Sequence, residues 1–241
     1  MTSQGQLSVG APRPAVRALR LQDVPPLENG DRLTRAEFER RYNAMPRIKK
    51  AELIEGEVHM PSPVKVTHSQ PHAQVMAWLG TYCIATPGIG WYDNTTVRLD
   101  ADNEVQPDAL LRLEPDAGGR SRISSDDYVE GPPELVVEIA SSSAAIDLHA
   151  KLSVYRRNQV QEYLVWQVYD SRLDWFRLSE GAYEPLSPDE AGAIRSQVFP
   201  GLWLAVEALL AGDLAGVLAK LHLGLESPEH ATFVKTLAGQ T

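Results

Sequence analysis

The chain has 241 residues, 43% hydrophobic and 23% charged, enough to bury a sizeable core in one domain. A single cysteine, Cys83, excludes an intramolecular disulfide and a cysteine metal cluster. A net charge of -9, from 32 acids and 23 bases, argues against tight nonspecific nucleic-acid binding, although a local basic groove stays compatible with it.

No apolar run approaches a membrane span, and the first residues lack an apolar signal segment, so a cytoplasmic location is expected. Residues 1–31 hold scattered Pro and Gly with little periodicity and read as a flexible N-terminal tail or an arm over the surface. The domain is expected over residues 32–222, and residues 223–241 read as a C-terminal tail.

Thr34 and Glu37 have capping-box spacing, which predicts a short helix to about Asn43. The stretch AELIEGEVHM, residues 51–60, reads as two strands around a Glu55-Gly56 hairpin turn, ended by Pro61 and Pro63. Pro71 suits a first helical turn. Val75, Trp78, Leu79 and Tyr82 follow at helical spacing, so a helix is expected from Pro71 to about Ala85. Strands are expected over residues 90–99 and 109–113, with Asp102-Asn103 as a turn between them. Residues 114–133 are polar and long for a plain connection, and read as a mobile flap.

Leu135 to Ala140 is apolar without alternation, the pattern of a central strand. A helix is expected from Ala144 to Asn158. Residues 162–168, 172–178 and 182–185 suit an antiparallel meander. Phe199-Pro200-Gly201 turns toward a helix from about Val206 to His222, with Leu209, Leu210, Leu214, Val217, Leu218 and Leu221 as its apolar stripe. All five tryptophans, Trp78, Trp91, Trp166, Trp175 and Trp203, sit in apolar contexts and read as core. The order predicts an α/β fold, a mixed sheet flanked by helices with the Leu135 strand in its middle.

Three carboxylates fall where strand ends should converge. Glu52 or Glu57 lies in the hairpin, Asp108 precedes an apolar strand, and Glu138 closes the central one. Such a set suits Mg²⁺, a hard cation bound by one or two carboxylates together with substrate phosphate. Lys151 can orient a water or meet a phosphate oxygen. Each residue also has a plain reading: Glu138 as a solvated strand end, Asp108 as a turn residue, and Lys151 as a surface partner of Asp147, with Tyr155 on the same face. A charge in a sheet centre, however, needs a partner or a metal.

Other motifs are weaker. His68 and His72 have the spacing of a zinc helix, but no glutamate accompanies them and Pro71 intervenes. Ser141-Ser142-Ser143 lacks a nucleophile elbow and reads as a helix cap. Gly118-Gly119 is no phosphate loop, because no lysine-serine pair follows. The Arg156-Arg157 pair reads as a solvated helix face.

Pro107-Asp108, Glu138 after its apolar strand, Ser141 and Ser143, Lys151 and Tyr155, then Glu162-Tyr163-Leu164-Val165 resemble the family called "Uma-type putative restriction endonucleases". That family belongs to the PD-(D/E)XK nuclease superfamily. The hairpin AELIEGEVHMPSP and the later VFPGL resemble it too, over roughly residues 33–210. The resemblance implies a restriction-endonuclease-like core and metal-assisted hydrolysis of DNA phosphodiesters. Asp108 and Glu138 would hold Mg²⁺, with Mn²⁺ as an alternative. Lys151 would be the motif lysine, and Glu52 or Glu57 the additional acid; His72 sits where relatives often carry a histidine. Two positions depart from the pattern. Ala140 stands where the superfamily has its lysine, so Lys151 must reach back from the next helix, and Ser142 stands where relatives commonly have proline. The competing expectation is a silent nuclease-fold module used in binding or regulation. Restriction-like folds often pair, and the apolar C-terminal helix could serve a homodimer.

Overall fold

A computed structural model describes residues 24–239, Ser62 and Ser142 excepted. The tail reading therefore lies outside the described residues up to residue 23. From Val24 the chain lies against the domain: Leu27 is buried in a cluster with Phe38, Leu53 and Val58, and Gly30 N donates to Val58 O at 2.8 Å.

Helix α1, Arg35–Asn43, starts on Thr34, whose hydroxyl accepts from Glu37 N. Glu37 does not close the expected box; its carboxylate takes Arg40 and Arg41 instead, at 2.7 Å each. Strands β1, Glu52–Ile54, and β2, Glu57–His59, form the hairpin. Glu55 and Gly56 at its turn both have positive φ, 52° and 75°, as a primed two-residue turn requires.

Helix α2, Val66–Ile84, begins five residues before its expected start, so Pro71 lies inside it rather than in its first turn. The run expected as one strand over residues 90–99 is two: β3, Ile89–Asp93, and β4, Val97–Asp100. Asn94, at φ 49°, breaks the run, and the two halves enter different sheets. Asparagine tolerates this left-handed conformation better than most residues. Strand β5, Asn103–Val105, completes a hairpin with β4, and β6 is Ala109–Leu113, as expected.

The polar stretch after β6 is not a plain flap. It contains β7, Arg122–Ile123, and β8, Val129–Glu130, which joins β4 in parallel. Strand β9, Leu135–Ala140, precedes a helical segment in three parts: α3, Ala144–Ile146; a π turn, Asp147–Lys151; and α4, Leu152–Arg157. Strands β10, Glu162–Gln167, β11, Arg172–Ser179, and β12, Ala182–Pro185, make the expected meander. A short ribbon follows, β13, Ala193–Arg195, with β14, Trp203–Ala205.

The final expected helix is split by Gly212 into α5, Val206–Leu210, and α6, Leu214–Leu225. Residues placed in a C-terminal tail include a docked helix, α7, Pro228–Ala238. Its buried His230 faces Thr86 Oγ1 at 2.9 Å and Leu225 O at 2.9 Å. A short helix with few apolar anchors, chiefly Phe233 and Leu237, gave little periodicity to detect it by.

Among the described residues there are two six-stranded sheets, ordered β12-β11-β10-β9-β6-β3 and β2-β1-β5-β4-β8-β7, rather than the single expected sheet. β9 is an inner strand of the first, parallel to β10 and antiparallel to β6, so that sheet is mixed as expected. Side chains alternate across a strand, and β9 is buried on both faces. Leu135, Val137 and Ile139 belong to a buried cluster that also holds Val75, Trp78 and Leu79 of α2 and Val217 and Leu221 of α6. Val136 and Ala140 face the second sheet and α4, meeting Ile54, Val105 and Tyr155. The stripe of α6 is thus used within the chain. Trp78, Trp166 and Trp175 are core; Trp203 is half-buried, and Trp91, on edge strand β3, is 39% exposed, contrary to expectation.

Candidate active site

Glu138 shares the face of β9 that carries Val136 and Ala140, so its side chain enters the layer between the two sheets. On β6, Ala109 pairs with Val137; continuing this antiparallel register by one residue places Asp108 opposite Glu138. Opposite residues share a face with side chains about 5 Å apart at Cβ. Both carboxylates are buried.

The helical segment after β9 folds back over this sheet position. Lys151, buried, places its Nζ 2.8 Å from Glu138 Oε1 and 3.0 Å from Glu52 Oε1. Its amine thus reaches the carboxylates from thirteen residues further along the chain. Tyr155 OH donates to the same Glu138 oxygen at 2.8 Å. Both hydrogen bonds land on Oε1, leaving Oε2 without one among the described residues.

Of the two hairpin acids, Glu52 is in the cluster and Glu57 is not. Glu52 lies on β1, inside the second sheet, and its Oε1 also accepts from Gln106 N at 2.7 Å. Glu57 lies on β2, the edge strand, where it pairs with the exposed Arg32 at 2.8 Å. The expectation for Glu57 is corrected accordingly.

Two members of the cluster, Asp147 and His68, had no site role in the sequence reading. Asp147, weighed as a surface partner of Lys151, is buried: its Oδ1 is 3.7 Å from Nζ, and Oδ2 accepts from Ser143 Oγ at 2.5 Å. Ser143 is the N-cap of α3 by position, but its hydroxyl makes this bond in place of the expected cap. Ser142 lies outside the described residues. His68, set aside as a zinc ligand, has Nε2 3.2 Å from the Asp108 carboxylate, while its Nδ1 is buried without a partner among the described residues. His72 reaches the Asp108 carbonyl at 2.8 Å and Asp93 at 3.0 Å. The helical spacing of the two histidines was visible; their common target was not.

The electrostatics follow from burial. Desolvation pushes Glu138 up to about 8, against the pull of the Lys151 ammonium. Burial likewise raises Asp147. Burial works to raise Asp108 too, but the hydrogen bond from His68, the charge of Lys50 and the bond from Ile139 N (2.7 Å) outweigh it, so Asp108 is lowered and ionised. Burial disfavours the Lys151 ammonium, yet Glu138, Glu52 and Asp147 together raise it well above its ordinary value. Among the described residues, three buried acids, Glu52, Glu138 and Asp147, therefore share the Lys151 ammonium, while a fourth, Asp108, is met by His68 and Lys50. An uncompensated buried charge is costly, so this donor set fits an added cation.

Among the described residues, no group of three or more His, Cys, Asp and Glu side chains is arranged to enclose a metal by itself. Asp108 and Glu138 are two carboxylates that the β6–β9 register sets opposite each other on neighbouring strands. Mg²⁺ is commonly held in this way, completing its shell with water and substrate oxygens.

The fold is similar to that of a crystal structure described as a putative nuclease belonging to DUF820, from Anabaena variabilis. The TM-score is 0.55 at 12% sequence identity, covering 67% of this chain and 90% of that chain. At that identity the likeness speaks for the fold. No curated protein matches the chain. A family model described as "Uma2: Putative restriction endonuclease" matches residues 35–207, well over half of the chain and a span that contains Glu52, Asp108, Glu138 and Lys151. The chain belongs to the Uma2 family.

Proposed function

We propose that the protein is a metal-dependent endonuclease that hydrolyses DNA phosphodiester bonds, with Asp108 and Glu138 holding Mg²⁺ or Mn²⁺. The observation that carries this reading is the meeting of three sequence-distant groups: Asp108 opposite Glu138 across β6 and β9, with the Lys151 amine 2.8 Å from Glu138. When bound, Mg²⁺ makes a water more acidic and neutralises charge growing on the phosphate. Lys151 positions the attacking water or meets the developing charge. Glu52 and Asp147 steer its ammonium, and Tyr155 fixes the rotamer of Glu138. His68 holds Asp108 from the other side. No described helix is long and apolar enough to cross a membrane.

Incubating supercoiled plasmid with the protein and millimolar Mg²⁺ or Mn²⁺ tests this. Nicked or linear product is expected, and chelator or either of Asp108→Ala and Glu138→Ala should remove it. Intact plasmid with both metals, from folded protein, would favour the silent binding module. Two such sites would let both strands be cut in one encounter, and sedimentation of the protein with and without DNA reads out whether two copies pair.

A further inference from the structure

The segment after β6, polar in sequence, is held by two buried charged side chains. Arg112, fully buried, donates to Ser121 Oγ at 3.0 Å, Ser121 O at 2.9 Å and Glu114 Oε2 at 2.7 Å. Glu134, also buried, accepts from Leu113 N at 2.8 Å and Arg120 N at 3.1 Å. A Cβ at Gly119 would lie 2.0 Å from Leu113 O, so only glycine passes there. A surface loop rarely needs an arginine and a glutamate withdrawn from water to shape it, because each is costly to bury.

What this loop presents is arginine. Arg120 and Arg122 line an open cavity of about 690 Å³ whose wall also carries Arg35 of α1, Arg98 of β4 and one acid, Glu130. Four guanidinium groups meet there in a chain of net charge -9. Two of them are engaged. Arg98 stacks on Tyr128 at 4.2 Å and faces Asp126 at 2.9 Å, Glu39 at 3.0 Å, Glu104 at 3.5 Å and Glu130 at 3.8 Å. Arg122 pairs with Glu130 at 2.6 Å. The other two keep donors open. Arg35 bonds Asp100 O at 2.8 Å and lies 3.3 Å from Glu39, while the Arg120 side chain makes one hydrogen bond, to Gln159 O at 2.8 Å. A guanidinium has five donors in a fork that matches phosphate oxygens. Burial holds Glu104 up to about 8, which lessens the negative charge behind the wall. Arg120 also lines a second cavity of about 460 Å³ with Glu180 and Arg177, the latter paired with Glu184 at 2.9 Å, so the unengaged arginines concentrate in the first cavity.

This surface is separate from the carboxylate cluster. Glu134 and Leu113 lie at the far ends of β9 and β6 from Glu138 and Asp108. Four residues of strand put about 13 Å between Glu134 and Glu138. We propose that the arginine-lined cavity is a second binding site, for phosphate groups, anchored by Arg35 and Arg120. The ligand is a free nucleotide or the backbone of a polynucleotide; both offer the same phosphate oxygens. The proposal does not depend on the nuclease reading.

The test is calorimetric titration of inorganic pyrophosphate, and separately of a short DNA duplex, into the full chain without divalent metal. Arg120→Ala, Arg35→Ala and Arg122→Ala are compared with Arg172→Ala, an exposed arginine elsewhere on the surface. Saturable pyrophosphate binding, weakened about tenfold or more by Arg120→Ala and Arg35→Ala and unchanged by Arg172→Ala, is expected. The Arg122 side chain is exposed, so its variant keeps the test valid should another lose its fold, and a smaller loss is expected of it. Tight pyrophosphate binding with no response to the duplex assigns a nucleotide site; duplex binding that pyrophosphate competes away and that weakens steeply with salt assigns a polynucleotide contact. No pyrophosphate or duplex binding, or binding that the arginine variants leave intact, overturns the proposal.

Discussion

Replacing Lys151 with methionine puts the electrostatics of the cluster to a direct test. The side chain keeps its length and loses the ammonium that stands 2.8 Å from Glu138, 3.0 Å from Glu52 and 3.7 Å from Asp147. All four groups are buried, so water screens little of the interaction. Removing one partner of a buried ion pair typically costs about 3–5 kcal/mol, because the other charge stays uncompensated. For a chain of this size that corresponds to a fall in Tm on the order of 10 °C. The acids left behind take up protons more readily, so the deficit should be larger at pH 8 than at pH 5. A cation at Asp108 and Glu138 would supply the missing charge. Millimolar Mg²⁺ should therefore raise the Tm of Lys151→Met by more than that of the wild type, in which the ammonium competes for the same oxygens. Thermal unfolding by circular dichroism, with and without Mg²⁺, reads both effects. A variant as stable as the wild type in metal-free buffer would refute the reasoning.

Four further outcomes follow from the same geometry. Asp108→Ala and Glu138→Ala should each lower cleavage by at least about 100-fold, read as plasmid nicking, since losing a ligand costs more than losing the 10–100-fold of an outer partner. Tyr155→Phe removes the bond to Glu138 Oε1 and should cost about 1 kcal/mol of stability and about tenfold in cleavage. Glu57→Gln should change stability by less than about 0.5 kcal/mol, because its partner Arg32 is exposed, whereas Glu52→Gln should impair cleavage in the same assay. The pH profile of Tm also has a sign. Burial raises Glu104 to about 8 and Glu162 to about 7, so the stability they contribute is complete below their unfolded value and lost as pH rises through 7–8. Asp100 and Asp108 are lowered, and their contribution is lost in acid, as pH falls through their folded values. Tm should therefore peak at mildly acidic pH. Glu162→Gln should flatten the alkaline limb, and a Tm that rises from pH 6 to 9 would contradict this.

Much of the site was legible because strand patterns carry their own evidence. The apolar run of β9 around Glu138, and the apolar β6 directly after Asp108, mark two buried strands with an acid each. The reach of Lys151 came from family resemblance alone, since no helix period predicts which sheet position a helix overlies. The choice between Glu52 and Glu57 turned on which hairpin strand is the edge, a tertiary fact. Helical spacing already set Asp147 beside Lys151, as found; that this face of the segment is buried against the sheets rather than solvated is a tertiary fact. Pro71 pulled the expected start of α2 too late, and with it His68 out of the helix. Arg112 and Glu134 look like solvated charges in sequence; only the fold reveals that they shape the loop between them. Asn94 was the one available sign that residues 90–99 are two strands.

Calorimetric titration of Mn²⁺ into the metal-free protein measures directly whether Asp108 and Glu138 share a divalent cation. One saturable site in the wild type, absent from both Asp108→Ala and Glu138→Ala while each stays folded, is the predicted result. Equal binding by the wild type and both variants, or none by any of them at millimolar metal, would contradict it.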